Sequence, residues 1–167
     1  MPIVRYRIAL RSGAAAAPAG VVVRSCSRPD DWQSAIAALV ARCRVAAADG
    51  VGPVPRAEGL ASEWASRPGR EVVVWVAVPA DDPATCLGLV TLVVTGWGFS
   101  VGWLLVDPVA RRRGVGRALV AAVAGEVSRR GGTAFAAHTS TAWPAAACFW
   151  RSVTAGPVGW ASGDPLR

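Results

Sequence analysis

The sequence predicts a single α/β (α+β) domain, built on a mixed, mostly antiparallel sheet of six to seven strands with about four helices. Three observations carry this expectation. The chain has 167 residues, 53% of them hydrophobic, which suits one domain with one sizeable core. Three strand-like runs follow one another between positions 71 and 106 with only short turns between them, as in an antiparallel meander. The last of these runs leads through a glycine-punctuated loop into a helical stripe and then another strand. That order needs a right-handed crossover and makes the two strands parallel neighbours.

Taken in order, Val4, Tyr6, Ile8 and Leu10 share one face and Arg5, Arg7 and Arg11 the other, the period of two of a strand. This strand and the Ala-rich, Pro18-containing stretch to about residue 19 form an N-terminal addition, which joins the sheet or pairs elsewhere. Val21–Arg24 is a short second strand. Asp30 caps a helix that runs to about Ala48, with Ile36, Leu39, Val40 and Cys43 as its apolar stripe. Pro53 and Pro55 break the chain before a shorter helix, Arg56–Ser66, which Pro68-Gly69 ends. The meander strands are Glu71–Val78, Thr85–Thr95 and Trp97–Val106. Val115, Leu119, Val123 and Val127 recur every four residues in the next helix, which Gly131-Gly132 terminates. Thr133–His138 is a strand, Pro144–Val153 a helix and Pro157–Ala161 a final short strand.

Composition excludes several classes. No apolar run approaches the roughly twenty residues of a membrane span, and Met1–Arg11 has no signal-peptide core, so a cytoplasmic protein is expected. The net charge of +7 comes from Arg without Lys, in a background rich in Ala, Gly, Pro and Val. No basic cluster with interleaved aromatics runs along a helix face, so no nucleic-acid partner is expected. Cys26, Cys43, Cys86 and Cys148 form no Cys-x-x-Cys pair, and the single His138 completes no zinc set, so no metal is expected. Cys43 and Cys86 read as core residues.

The most informative stretch is Leu104-Leu105-Val106-Asp107-Pro108-Val109-Ala110-Arg111-Arg112-Arg113-Gly114-Val115-Gly116-Arg117-Ala118. It reads as a strand, a Pro turn and a glycine loop that opens a helix. Free N–H groups and the positive end of the helix dipole suit phosphate oxygens there. A plain glycine turn or a solvated Arg turn has the same local pattern. A dinucleotide fingerprint would need a third glycine where Leu119 stands, and a Walker loop would need a Lys.

The Arg111-x-x-Gly114-x-Gly116 pattern resembles motif A of the GNAT acyltransferase superfamily, strongly over about Leu92–Val153 and topologically before it. The resemblance implies acetyl-CoA as cosubstrate. The pyrophosphate would lie on the loop Arg111, Arg112, Arg113, Gly114, Val115, Gly116, Arg117 and Ala118. The pantetheine arm would run along the backbone of Leu104, Leu105 and Val106. The family's usual tyrosine acid would fall at Trp150, after Phe149, and an indole has no proton to give at a useful pKa. His138, Ser100 and Cys148 are then the candidates for proton transfer, each with an ordinary structural reading beside it. Glu63 and Trp64, on the second early helix, and Trp150 are candidate acceptor contacts. The Gly50–Pro53 segment followed by Glu63-Trp64 faintly resembles acetyltransferases that inactivate antibiotics, such as the tabtoxin-resistance type. The expectation is an N-acetyltransferase, monomer or homodimer, acting on a small-molecule amine in a ternary complex. The alternatives are acetylation of a protein N-terminus or Lys, and a catalytically silent acyl-CoA-binding domain.

Overall fold

In a computed structural model, the structure describes residues 3–10, 16–26, 32–45, 64–65, 67–140 and 142–155. Six strands form one sheet: β1 Ile3–Ala9, β2 Val21–Ser25, β3 Arg70–Pro79, β4 Gly88–Thr95, β5 Gly98–Val106 and β6 Ala134–Ser140. Their order across the sheet is β1-β6-β5-β4-β3-β2. Among the described residues three α-helices accompany them: α1 Gln33–Val45, α2 Val115–Arg129 and α3 Pro144–Ala155. A 3₁₀ turn, Pro108–Ala110, links β5 to the loop before α2.

The predicted meander is present as β3, β4 and β5, antiparallel throughout. β4 begins at Gly88, later than expected. Asp82 closes a turn first, its carboxylate accepting from the Ala84 N–H and the Thr85 hydroxyl. The N-terminal strand does join the sheet: β1 runs antiparallel to β6 from Ile3↔Ser140 to Ala9↔Ala134. The Asp30 cap, nearly all of the helix expected over 56–66 and the strand expected over 157–161 lie outside the described residues.

Each helix buries the stripe its sequence carries. Ile36, Leu39, Val40 and Cys43 of α1 are at most 3% exposed and pack with Val74, Val76, Val78, Leu89 and Leu105 on one face of the sheet. Val115, Leu119, Val123 and Val127 of α2 are at most 1% exposed and pack with Val90, Leu92, Val101, Phe135 and Ala137 on the other. Full burial of each such side chain is worth roughly 1.5–3 kcal/mol. α2 ends on a Schellman pair, with the Gly132 N–H donating to Val127 and the Gly131 N–H to Ser128. Gly131 takes a left-handed φ of 76°.

The end of α2 is tied to β3 through charge. Arg130 grips Glu71 with both terminal nitrogens, at 2.8 and 2.7 Å, and also donates to Glu126. Hydrogen bonds from Arg129, and then Arg130, pull the Glu126 carboxyl down to about 2. A carboxyl depressed in the folded state stabilises above its unfolded pKa, and that gain drains away as pH falls through the folded value. Glu126→Gln should therefore lower Tm modestly at pH 7. The gap between variant and wild type should close as pH falls from about 4.5 toward about 2. Thermal unfolding of both proteins across that range checks it.

Candidate functional site

β5 and β6 are parallel neighbours but share only one paired position, Ser100↔Ala136. Beyond it the strands no longer pair, so Val101–Val106 of β5 and Ala137–Ser140 of β6 leave an opening in the hydrogen bonding of the sheet. On its other side β5 stays bound to β4: Leu104↔Val90, Leu105↔Leu89 and Val106↔Gly88. The Asp107 N–H then donates to the Leu87 carbonyl at 2.8 Å. Backbone groups alternate sides along an antiparallel ladder, so those of Leu105 face β4 and those of Leu104 and Val106 face the opening. The Val106 carbonyl is met there by Arg111 Nε at 3.2 Å and by the Cys43 thiol at 3.5 Å. The Leu104 N–H remains as a backbone donor directed into the opening.

The end of β5 leads through the 3₁₀ turn to the start of α2. Arg112 has φ 63° and Gly114 φ 87°, so the chain curls twice through left-handed backbone before the helix. For Gly114 this φ explains the residue type, since an added Cβ would meet only Pro18 at 3.8 Å. Gly116 answers to packing, because a Cβ there would lie 3.0 Å from the Phe149 ring. The helix has no side-chain N-cap and no acid in its first turn. The first internal bond runs from Ala118 N–H to the Gly114 carbonyl. The N–H groups of Val115, Gly116 and Arg117 therefore lie before the helical ladder, at the positive end of the dipole. Arg112, Arg113 and Arg117 are exposed around them. The arrangement suits an anion with several acceptor oxygens.

Asp107, read from the sequence only as part of a Val-Asp-Pro turn, organises this corner. It is 2% exposed. One oxygen accepts the Val109 N–H and caps the 3₁₀ turn. The other pairs with Arg42 Nε from α1, whose Nη2 donates to the Cys86 carbonyl. No local pattern reveals a partner 65 positions away.

The remaining candidates fall in different places. Ser100 and His138 lie on the α1 side of adjacent strands β5 and β6, since their neighbours Val101 and Ala137 belong to the cluster on the α2 side. His138 is exposed and stands opposite Arg5 of β1. Partial burial, and then the Arg5 charge, hold its pKa below the usual histidine value. Cys148 is exposed on α3. Trp150 is 5% exposed in the α2-side cluster, edge-on to Phe149. Tyr6, the only tyrosine, is carried by β1 into that same cluster. Trp64 is buried in the α1-side cluster, its indole N–H without a partner among the described residues. Glu63 lies outside the described residues. Burial raises the thiols of Cys43 and Cys86, the latter to about 11, so both stay protonated at neutral pH. Among the described residues no group of three or more His, Cys, Asp or Glu could hold a metal, and no helix is long and apolar enough to cross a membrane.

Residues 88–151 match the family model described as FR47-like protein. Among curated proteins there is no match. A GCN5-related N-acetyltransferase from Sphaerobacter thermophilus superposes with a TM-score of 0.62 at 22% identity, over 82% of this chain and 42% of that one. This chain thus spans under half the length of that protein. The ribosomal-protein-S18-alanine N-acetyltransferase from Escherichia coli gives 0.61 at 17% identity, over 80% of this chain and 76% of that one. An aminoglycoside acetyltransferase from an uncultured soil metagenomic sample, in complex with sisomicin, gives 0.58 at 17% identity, over 80% and 87%.

Removing Asp107 should loosen the corner without removing the fold. Asp107→Ala deletes a cap and leaves Arg42 unpaired, but the Arg42 side chain is 41% exposed and can rehydrate. A loss of about 2 kcal/mol is expected by denaturant unfolding, less than the full penalty of a buried orphan charge.

Proposed function

We propose that this chain, which has the GNAT fold, is an N-acyltransferase that takes acetyl-CoA as donor and a small-molecule amine as acceptor. One observation carries the reading. The uncapped, arginine-ringed start of α2 follows the end of β5 through the 3₁₀ turn, and there β5 and β6 no longer pair and Leu104 and Val106 turn their backbone groups away from β4. A ligand with an anionic pyrophosphate at one end and an amide-rich arm at the other matches that sequence of donors and acceptors.

Acetyl-CoA supplies an activated acyl thioester. The Val115, Gly116 and Arg117 N–H groups, with Arg112, Arg113 and Arg117, would hold its phosphates. The side chain of Arg111 is engaged by Val106 and supports the strand end. The Leu104 N–H is suited to meet an oxygen that gains negative charge during acyl transfer. His138, held below its usual pKa, is neutral at pH 7 and able to accept a proton from an attacking amine, directly or through water. Trp150 offers no acid, but a thiol of pKa about 8.5 leaves tolerably without one.

The acceptor class is supported by the aminoglycoside acetyltransferase among the structural neighbours, while the ribosomal-protein acetyltransferase supports a protein N-terminus as the alternative. The core burial of Trp150 favours a further reading, a silent acyl-CoA-binding domain.

Acetyl-CoA should raise Tm by mass action, with NAD at equal concentration giving no shift. Arg113→Gln with Arg117→Gln should weaken acetyl-CoA binding about tenfold by calorimetry, and the deficit should shrink at high salt. Absence of any acetyl-CoA binding by the wild type overturns the reading. Binding without release of free thiol across a panel of amines would leave the silent domain.

Trp150→Tyr should lower stability and bring no gain in turnover, because position 150 packs in the core. A faster enzyme with an unchanged Michaelis constant would show that the hydroxyl reaches the leaving sulfur.

A further inference from the structure

Between the paired positions Val90↔Leu104 and Leu92↔Val101, one residue of β4, Thr91, stands opposite two of β5, Gly102 and Trp103. This is a β-bulge on β5. Bulges leave a backbone N–H out of the ladder, and here that N–H has an unusual partner. The Trp103 N–H donates to Thr91 Oγ1 at 2.8 Å. Thr91 is 1% exposed, so no water substitutes easily for its hydroxyl. The same oxygen explains Gly102, because a Cβ at that position would stand 2.7 Å from it. The hydroxyl and the missing side chain are two halves of one fit.

The bulge decides which way the rest of β5 faces. Val101 packs in the cluster on the α2 side, and Leu104, three residues on, packs there as well. Trp103 and Leu105 pack on the α1 side. Strict alternation would put Leu104 opposite Val101, so the extra residue reverses the parity of everything after it. It also falls just beyond Ser100↔Ala136, the last position at which β5 and β6 pair. The direction of the Leu104 N–H, into the opening rather than toward β4, is therefore a consequence of the bulge.

We infer that Thr91 is a positioning residue for the acyl-thioester end of the donor, acting through the Trp103 backbone to aim the Leu104 N–H into the opening between β5 and β6. It touches no ligand itself. The inference rests on the acetyl-CoA reading above.

The test compares two probes, acetyl-CoA and 3′-phospho-ADP, the nucleotide end of CoA without the pantetheine arm. Thr91→Val keeps the shape and removes the acceptor. It should weaken acetyl-CoA binding about tenfold and leave 3′-phospho-ADP binding unchanged. Thr91→Ser, which retains the hydroxyl, should restore acetyl-CoA binding to within about threefold of wild type. Hydrogen exchange should speed up at the Trp103 amide in Thr91→Val and not in Thr91→Ser. Equal acetyl-CoA affinity in wild type and Thr91→Val overturns the proposal, as does parallel loss of both probes, which would mark a general structural role. If Thr91→Val does not fold, Gly102→Ala decides, since its methyl displaces the hydroxyl; unchanged acetyl-CoA binding there is equally fatal. A wild-type protein that binds neither probe refutes the donor reading itself, and the inference falls with it.

Discussion

The corner where β5 becomes α2 depends on one buried carboxylate. Asp107 gives its backbone N–H to Leu87, accepts the Ala110 N–H on its carbonyl and the Val109 N–H on its side chain, and pairs with Arg42. Charge is costly to bury, and a buried carboxylate persists where the surrounding groups satisfy most of its lone pairs. Here those groups come from the 3₁₀ turn and α1, and Arg42 extends the tie to the turn before β4 through Cys86. The direction of the first helical N–H groups of α2 is inherited from this fixed corner.

Two kinds of backbone departure cooperate along the same stretch. The left-handed residues Arg112 and Gly114 turn the chain at the mouth of the site. The bulge at Gly102 and Trp103 turns it within the sheet. Inside a paired sheet, and in the middle of a helix, backbone groups bond one another and leave nothing for a ligand. Donors become available where the regular pattern ends or is interrupted, as it is at the bulge and in the turns before α2.

Periodicity made the helices and the meander legible. The stripes Ile36–Cys43 and Val115–Val127 are buried as the spacing requires, and the glycine loop sits between a strand and a helix as its motif requires. What stayed hidden was long-range. Arg42 and Asp107 belong to segments with no shared pattern, and the fit of Thr91 to Gly102 depends on a register that only the paired strands define. The pairing of β1 with β6 was hidden for the same reason: alternation shows that Ile3–Ala9 is a strand but says nothing of its neighbour. Tyr6 looked remote from Trp150 in sequence, yet that pairing sets both in one cluster.

The place of β1 has a consequence for how the chain reaches its native state. Among the described strands β1 comes first along the chain and its partner β6 comes last. The contact spans most of the chain, and closing so large a loop is favourable only once the elements between have shortened the effective distance. β1 must therefore wait as an unpaired strand through much of folding. Arg5 and Arg7 on its outer face make that wait safer, since charges on a solitary strand oppose pairing with other copies. Docking of β1 should be a late, low-φ step, which would let it govern the rate of unfolding more than the rate of folding.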